Sequence, residues 1–427
     1  MLLSSLRRIR ASGDLILAVL NTGISSSFWL LLAFVMPISI YGRIMSLQAG
    51  VLLVGLILTF RTHDLVFYLQ GQGRYSLVQA FRVTLRIEWL SAALGIALVA
   101  VGASFMFHPA RDAMTLIGVV GFACLAAISA SQGAAIAILR HEGRGDLVVK
   151  ADWASVLGWG VTMATIPFAN RLEPTVILLA SGIPGAARTI VLVIGAKRTV
   201  RTLAPAMEEN EAQSTGENWT QLGRYLIGGQ VANFLKNGAI PIETMILTVF
   251  FSPAVVGLYR IARGALALAV AANNVIYQKT FPILARTTSG IERRKVASML
   301  ARNSALVQFS FYPLTAIILA AYAFLKPDVT MWQLQGIAIA IFVSQLPVAV
   351  QQGDFAILSL AGRHTAVSLA YAIAFAVLGV LAVLLTQWPI LEIFLVGLTL
   401  SGIARMVWLR MESQRVLRTS PCLTCSA

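Results

Sequence analysis

Long apolar segments alternate with short polar segments along almost the whole chain. Prolines, glycines and charged clusters divide the apolar segments into twelve predicted spans: 14–36, 44–60, 87–107, 114–138, 149–168, 175–196, 222–250, 254–279, 304–325, 331–351, 365–386 and 389–409. Segments of this length are typical of helices that cross a bilayer, and the shorter alternating segments of outer-membrane strands are absent. The pattern therefore predicts an all-α, polytopic membrane protein with twelve transmembrane helices.

The predicted spans divide into two sets of six. The longest hydrophilic segment, 197–221, separates the two sets, and similar turns follow the fourth and tenth spans: AILRHEGRGDLVV at 137–149 and AILSLAGRHTAVS at 356–368. An even unit of six spans, repeated at about half the chain length, indicates parallel repeats related by an axis along the membrane normal. We predict an N-terminal six-helix lobe at 1–196, a cytoplasmic loop at 197–221, a C-terminal six-helix lobe at 222–410 and a cytoplasmic tail at 411–427.

The composition agrees with this architecture. Hydrophobic residues make up 58% of the chain, charged residues only 12%, and the mean hydropathy is +0.79. This charged share is about half that of a typical soluble domain. The net charge of +15 has a simpler source than nucleic-acid binding, because basic residues accumulate in the cytoplasmic loops of membrane proteins. We therefore expect no nucleic-acid partner.

The distribution of basic residues predicts the orientation. With the N-terminus inside, 25 of the 33 Lys and Arg residues fall in cytoplasmic segments, Arg405 among them, and the outer side carries four: Arg43, Arg111, Arg171 and Lys326. This bias places both termini in the cytoplasm.

The loops are too short to hold a catalytic domain. The outer loops carry only scattered acidic residues, and the sequence contains no GxxxxGK[ST] nucleotide-binding loop. We therefore expect a transporter rather than an enzyme, with no catalytic residue, no cofactor and no bound metal.

The four remaining basic residues, Arg188, Lys236, Arg260 and Arg263, fall within predicted spans. Lys236 lies about 21 Å from the cytoplasmic end of its span, at about 1.5 Å per residue, too deep for its ammonium to reach either surface easily. Glu243 follows on the same helical face, and Arg260 and Arg263 are neighbours on one face of the next span. Charges at this depth are costly unless they face a protein interior or a water-filled cavity.

Two interpretations of these charges stay open. In the first, Glu243 neutralises one cation and the pair is purely structural. In the second, the remaining positive charges line a cavity that binds an anionic ligand, because one glutamate cannot balance Lys236, Arg260 and Arg263. Polar side chains such as Asn237, beside Lys236, and Asn21, in the first span, would line the same interior.

One stretch resembles a known family. It begins at Glu243, continues through Val256-Gly257-Leu258-Tyr259, and ends with Phe281-Pro282-Ile283-Leu284-Ala285-Arg286. This order of an acidic residue, a Val-Gly-hydrophobic-Tyr opening and a Phe-Pro-x-Leu-Ala-Arg exit resembles Wzx-type polysaccharide flippases of the multidrug/oligosaccharidyl-lipid/polysaccharide superfamily. The family has aspartate where this chain has Glu243, and its Gly-Arg turns and twelve spans in two lobes are also similar.

The resemblance implies a function. Such flippases move undecaprenyl-pyrophosphate-linked oligosaccharides across the bacterial cytoplasmic (inner) membrane for O-antigen, capsule or exopolysaccharide assembly. The implied partners are the lipid-linked oligosaccharide, membrane lipid, and the polysaccharide polymerase and glycosyltransferases of the same pathway, and we expect a monomer. The predicted substrate-binding residues are Lys236, Arg260, Arg263, Glu243, Asn237, Asn21 and Arg188.

Three other functions compete with this one. A multidrug or cation antiporter of the same superfamily would need acidic residues in its cavity, whereas deep bases outnumber deep acids here by four to one. A major-facilitator carrier would have a Gly-x-x-x-Asp-Arg-x-Gly-Arg-Arg loop after its second span, which RTHDLVFYLQGQGR does not match. A membrane polysaccharide polymerase would need a long external catalytic loop.

The topology is tested by cysteine labelling in a background without Cys124, Cys422 and Cys425. A membrane-impermeant maleimide added to intact cells should label single cysteines introduced at Pro109, Glu173 and Lys326, because these positions lie in predicted outer loops. Cysteines at Gly145 and Glu211 should react only after permeabilisation. Labelling of the Glu211 variant in intact cells would contradict the predicted orientation.

Overall fold

The described residues form helices, and no strand occurs among them. The computed structural model describes residues 2–58, 62, 65–67, 69, 75–106, 112–203, 226–227, 230–231, 233–235, 237–287, 289–326, 329–361 and 363–419. The α-helices are α1 (Leu2–Val35), α2 (Ile38–Leu58), α3 (Leu77–Met106), α4 (Ala113–Ala130), α5 (Gly133–His141), α6 (Gly145–Met163), α7 (Pro174–Leu203), α8 (Ala239–Phe250), α9 (Pro253–Arg286), α10 (Gly290–Leu325), α11 (Met331–Val350), α12 (Gln352–Leu360), α13 (His364–Gln387) and α14 (Leu391–Thr419).

Within this part of the chain, eight helical segments are long and apolar enough to cross a membrane. The predicted class, a helical polytopic membrane protein, is thus confirmed, while the number of twelve spans stays a prediction. Several helices continue beyond the predicted spans, as α9 does to Arg286 and α14 to Thr419. Hydropathy marks where lipid surrounds a helix, whereas backbone hydrogen bonding continues into the polar residues outside the lipid.

Backbone contacts group the chain into two compact units. The first comprises Met1–Phe28 and Ser46–Ile242, and the second comprises Trp29–Met45 and Glu243–Ala427. Most of the predicted loop at 197–221 and the last part of the tail lie outside the described residues, so the predicted lobe boundaries stay predictions.

In the first unit, α7 packs against both α4 and α6. Small residues permit this close approach: a Cβ on Gly158 of α6 would lie 2.7 Å from the Cα of Pro184 in α7. Glycines at such positions let helices pack closely in membranes, where dispersion rather than hydrophobic burial drives association.

In the second unit, the segment 29–45 packs against the start of α9. A Cβ on Gly42 would lie only 1.7 Å from the carbonyl oxygen of Pro253, and one on Gly257 would lie 2.7 Å from the carbonyl oxygen of Ile38. Two backbones therefore touch directly at this point, which only glycine permits.

The repeated Gly-Arg turns have the same backbone geometry. The backbone N–H of Arg144 donates to the carbonyl of Leu139 over 2.8 Å, and that of Arg363 donates to the carbonyl of Leu358 over 3.0 Å. The φ and ψ angles are −83° and 49° at Arg144 and −80° and 51° at Arg363. The sequence similarity of the two turns thus corresponds to a repeated local structure.

Replacing Gly42 with Ala should destabilise the protein by about 1–3 kcal/mol, because the added methyl group overpacks a backbone contact. Gly336→Ala is the matched control, since a Cβ at Gly336 meets no heavy atom within 4 Å. The measurement is unfolding of the purified protein in mixed micelles by titration with a denaturing detergent. Equal stability of the two variants would contradict the packing at Gly42.

Candidate substrate-binding site

A buried hydrogen-bonded ion pair lies where α8 and α9 meet. Glu243 on α8 pairs with Arg263 on α9, and their side chains are only 7% and 11% exposed. One oxygen of Glu243, Oε2, accepts from both the Arg263 guanidinium and the Tyr259 hydroxyl. Arg263 Nε also donates to the Tyr259 hydroxyl oxygen over 3.0 Å. The three side chains form a closed triangle in which every hydrogen bond involves a charged group.

The local sequence positions this triangle. Tyr259 and Arg263 are four residues apart on α9, so both point towards α8. Tyr259 is fully buried, and Phe394 of α14 packs edge-on against its ring with the centroids 5.8 Å apart. Gly257, two residues earlier, brings α9 against the backbone of Ile38. The Val-Gly-hydrophobic-Tyr motif therefore places the tyrosine that binds Glu243.

Arg260 lies one residue after this tyrosine and points towards the segment 29–45. Its Nε donates to the sulfur of Met45 over 3.4 Å, and the guanidinium is within electrostatic range of Tyr41 and Glu243. The structure therefore brings three of the predicted site residues, Arg260, Arg263 and Glu243, into one group, the Glu243 cluster.

Arg405 also lies in this neighbourhood, although the distribution of basic residues predicts it at the cytoplasmic end of the last span. It lies in the middle of α14, within electrostatic range of Glu243 and Arg263. Its Nε donates to Gln351 Oε1 over 3.2 Å, and its guanidinium carbon lies 4.9 Å from the centre of the Tyr371 ring.

The first unit holds a second polar group. Arg188 of α7 pairs with Asp152 of α6, with Nε and Oδ1 2.6 Å apart, and also donates to Gln132. Asn21 donates to the backbone carbonyl of Asp152 over 3.3 Å. The ratio of four deep bases to one deep acid stays a prediction, but Arg188 has a carboxylate partner, Asp152, that this ratio leaves out.

The remaining predicted site residues are Lys236 and Asn237. Lys236 lies outside the described residues. Asn237 is exposed and donates to Asn233 Oδ1 over 2.7 Å, one helical turn earlier. The roles assigned to these residues, like that of Arg188, stay predictions.

The Glu243 cluster and Arg405 together are strongly cationic. Three arginines and one glutamate give a formal charge of +2. The one carboxylate carries a single negative charge, so these four side chains together keep a net positive charge. Such an arrangement can bind an anion, above all one with several oxygens, because each planar guanidinium presents a fork of N–H donors.

Comparison with known proteins shows what this fold is similar to. The chain superposes with a TM-score of 0.54 on a mutant of the Vibrio cholerae MATE transporter VcmN, at 16% identity and with 98% of each chain covered. It also superposes with a TM-score of 0.50 on an inward-facing multidrug resistance MATE family transporter of the MOP superfamily, at 13% identity over 94% of this chain and 96% of that chain. No family model and no curated protein matches the sequence. At these identities the likeness shows a shared transporter fold and no more.

The ion pair can be tested by a double-mutant cycle. Glu243→Gln should cost about 3–5 kcal/mol of stability, because it leaves the buried Arg263 without its carboxylate. Adding Arg263→Gln should recover part of that loss, since the double variant contains no uncompensated charge at this position. The measurement is the same detergent-induced unfolding.

The Glu412–Arg415 pair of α14 is the control for this cycle. Arg415 is 66% exposed, so Arg415→Gln should change stability by no more than about 1 kcal/mol. A double variant as unstable as the sum of the two single variants would contradict a direct Glu243–Arg263 interaction.

Proposed function

We propose that the chain is a flippase of the multidrug/oligosaccharidyl-lipid/polysaccharide (MOP) superfamily that moves a lipid-linked oligosaccharide across the bacterial cytoplasmic membrane. The superfamily assignment is supported by the fold that the chain shares with MATE transporters and by the motif between Glu243 and Arg286. The substrate assignment rests on one observation: the +2 formal charge of the Glu243 cluster with Arg405.

This charge suits a pyrophosphate. Three guanidinium groups within apolar helices cost free energy in the empty protein, and an anionic ligand offsets that cost when it binds. A pyrophosphate carries at least two negative charges on closely spaced oxygens, which guanidinium forks bind better than a point charge would. We assign the pyrophosphate contacts to Arg260, Arg263 and Lys236.

Other residues have supporting roles in this proposal. Glu243 holds Arg263 and Tyr259 in position or couples the cluster to an ion. Asn21, Asn237 and Arg188 provide polar contacts for the oligosaccharide. Transport proceeds by alternating access, as in other transporters built from repeats. The polymerase and glycosyltransferases of the pathway are functional partners, and the working unit is a monomer in the inner membrane.

A second candidate, a multidrug or cation antiporter, also has an observation in its favour. One of the similar structures is a multidrug resistance transporter, and α3 of this chain contains a buried carboxylate, Glu88. Its Oε1 accepts from the backbone N–H of Ala134 over 2.8 Å and from Thr62, while Oε2 has no hydrogen-bond partner among the described residues. Such a carboxylate could carry a proton or a cation.

Complementation distinguishes the two candidates. In a strain that lacks its own flippase, the wild-type chain should restore surface polysaccharide. Arg263→Ala should reduce export by about tenfold or more, because it removes a charge-assisted contact to phosphate. Glu243→Asp should be tolerated because it retains the carboxylate. Protein levels are checked by immunoblot.

The combined Lys236→Gln, Arg263→Ala variant provides the decisive result. Normal polysaccharide export by this variant, at wild-type protein level, would contradict the cationic site. Resistance to cationic dyes that depends on Glu88, without any restoration of polysaccharide, would favour the antiporter instead.

A further inference from the structure

Each unit contains a helix that is interrupted at a glutamine. Gln132 separates α4 from α5, and Gln351 separates α11 from α12. The two glutamines lie at equivalent positions of the sequence repeat, 219 residues apart, like the Gly-Arg turns that follow them.

In both units the glutamine binds an arginine from the last helix of its half. Arg188 of α7 donates to Gln132, and Arg405 of α14 donates to Gln351 over 3.2 Å.

Each arginine ends a Gly-x-Ala-Arg sequence, at 185–188 and 402–405. A Cβ on Gly185 would lie 2.4 Å from Ser129 Oγ, and one on Gly402 would lie 2.9 Å from the Ser344 carbonyl oxygen. The glycine brings its helix close to the interrupted one, and the arginine three residues later reaches the glutamine.

The residue that faces the arginine differs between the two units. Asp152 faces Arg188 at 2.6 Å, whereas the residue 219 positions later is Tyr371, whose ring centre lies 4.9 Å from the Arg405 guanidinium carbon. A carboxylate neutralises an arginine, but an aromatic ring only attracts it weakly and leaves its charge in place. Among the described residues, no carboxylate forms an ion pair with Arg405.

The charge of Arg405 is not balanced by Glu243 either. Arg405 is within electrostatic range of that carboxylate, but Glu243 already accepts from Arg263 and Tyr259. Arg405 therefore keeps donors and positive charge available beside the Glu243 cluster, while its counterpart Arg188 is engaged by an aspartate.

We propose that Arg405, held by Gln351 and Tyr371, is an additional phosphate-binding residue of the substrate site and that the replacement of an aspartate by Tyr371 in the second unit makes it available. This inference rests on the proposed function and extends it. The ligand chemistry is a pyrophosphate, either carried by a polyprenyl lipid or free in solution.

The probe is farnesyl pyrophosphate, whose binding to the purified chain in detergent is measured by titration calorimetry. Inorganic pyrophosphate and farnesol are separate arms. Binding of farnesyl pyrophosphate alone identifies the lipid-linked ligand, and equal binding of inorganic pyrophosphate identifies the anion itself as sufficient.

Two types of variant test Arg405. Arg405→Gln should raise the Kd for farnesyl pyrophosphate by about tenfold or more, since it removes one charge-assisted contact. Tyr371→Asp should do the same while retaining Arg405, because it recreates the neutralised arrangement of the first unit. Arg415→Gln should bind within about twofold of wild type, because it removes only an exposed charge from α14.

The outcomes separate this inference from the proposed function. If wild-type binding depends on Arg263 but is unchanged in Arg405→Gln and Tyr371→Asp, Arg405 is only a structural residue and the inference is overturned. If the wild-type chain binds neither pyrophosphate better than farnesol, the proposed function and the inference both fail.

If Tyr371→Asp does not fold, Arg405→Lys takes its place as the second variant. Arg405→Lys keeps the charge, so its Kd for farnesyl pyrophosphate should lie between those of wild type and Arg405→Gln.

Discussion

The cost of placing charge inside a membrane protein governs the second unit. A lone charge on Glu243 or Arg263, both largely buried among apolar helices, would be strongly unfavourable, and each has the other as its partner. That requirement fixes the packing around it. Tyr259 must be buried next to the pair, α9 must start close enough to α8 to bring the two side chains together, and Gly257 must let α9 approach the segment 29–45. One ion pair thus explains why the surrounding sequence contains a tyrosine and a glycine where lipid alone would accept any apolar residue.

Much of the fold could be predicted from sequence because hydropathy reports the solvent of each segment directly. The helical, apolar character of the chain and the repeated Gly-Arg turns follow from apolar segment length and sequence similarity, whereas the twelve spans and the membrane depth of Arg260, Arg263 and Glu243 stay predictions. The helix ends could not be predicted in this way, since the polar ends of α9, α10 and α14 continue the backbone hydrogen bonds outside the apolar segment. The interruption at Gln132 could not be predicted, because a short break inside an apolar run leaves the hydropathy unchanged, whereas the predicted span 331–351 ends at Gln351.

The site could be predicted only in part, for a different reason. Depth along one helix identifies a costly charge, but its partner lies on another helix and depends on tertiary packing. Asp152 was therefore overlooked as the partner of Arg188, and Arg405 was assigned to a cytoplasmic end although it approaches Glu243. A usable signal was present: Gly-x-Ala-Arg occurs in both halves, at 185–188 and 402–405. This repeat aligns Arg405 with Arg188, one of the predicted site residues.

The same comparison separates what the fold requires from what the substrate requires. Features found in both units, the interrupted helix, the glutamine, the glycine and the arginine, are explained by helix packing and need no ligand. The difference between Asp152 and Tyr371 is not explained by packing, because an aspartate satisfies the arginine in the first unit. A fold shared with MATE transporters is compatible with many substrates, so specificity has to reside in such departures from the repeat. Here the departure leaves positive charge in the second unit, beside a glutamate that is already engaged, and this is the charge that the anionic ligand proposed above would neutralise.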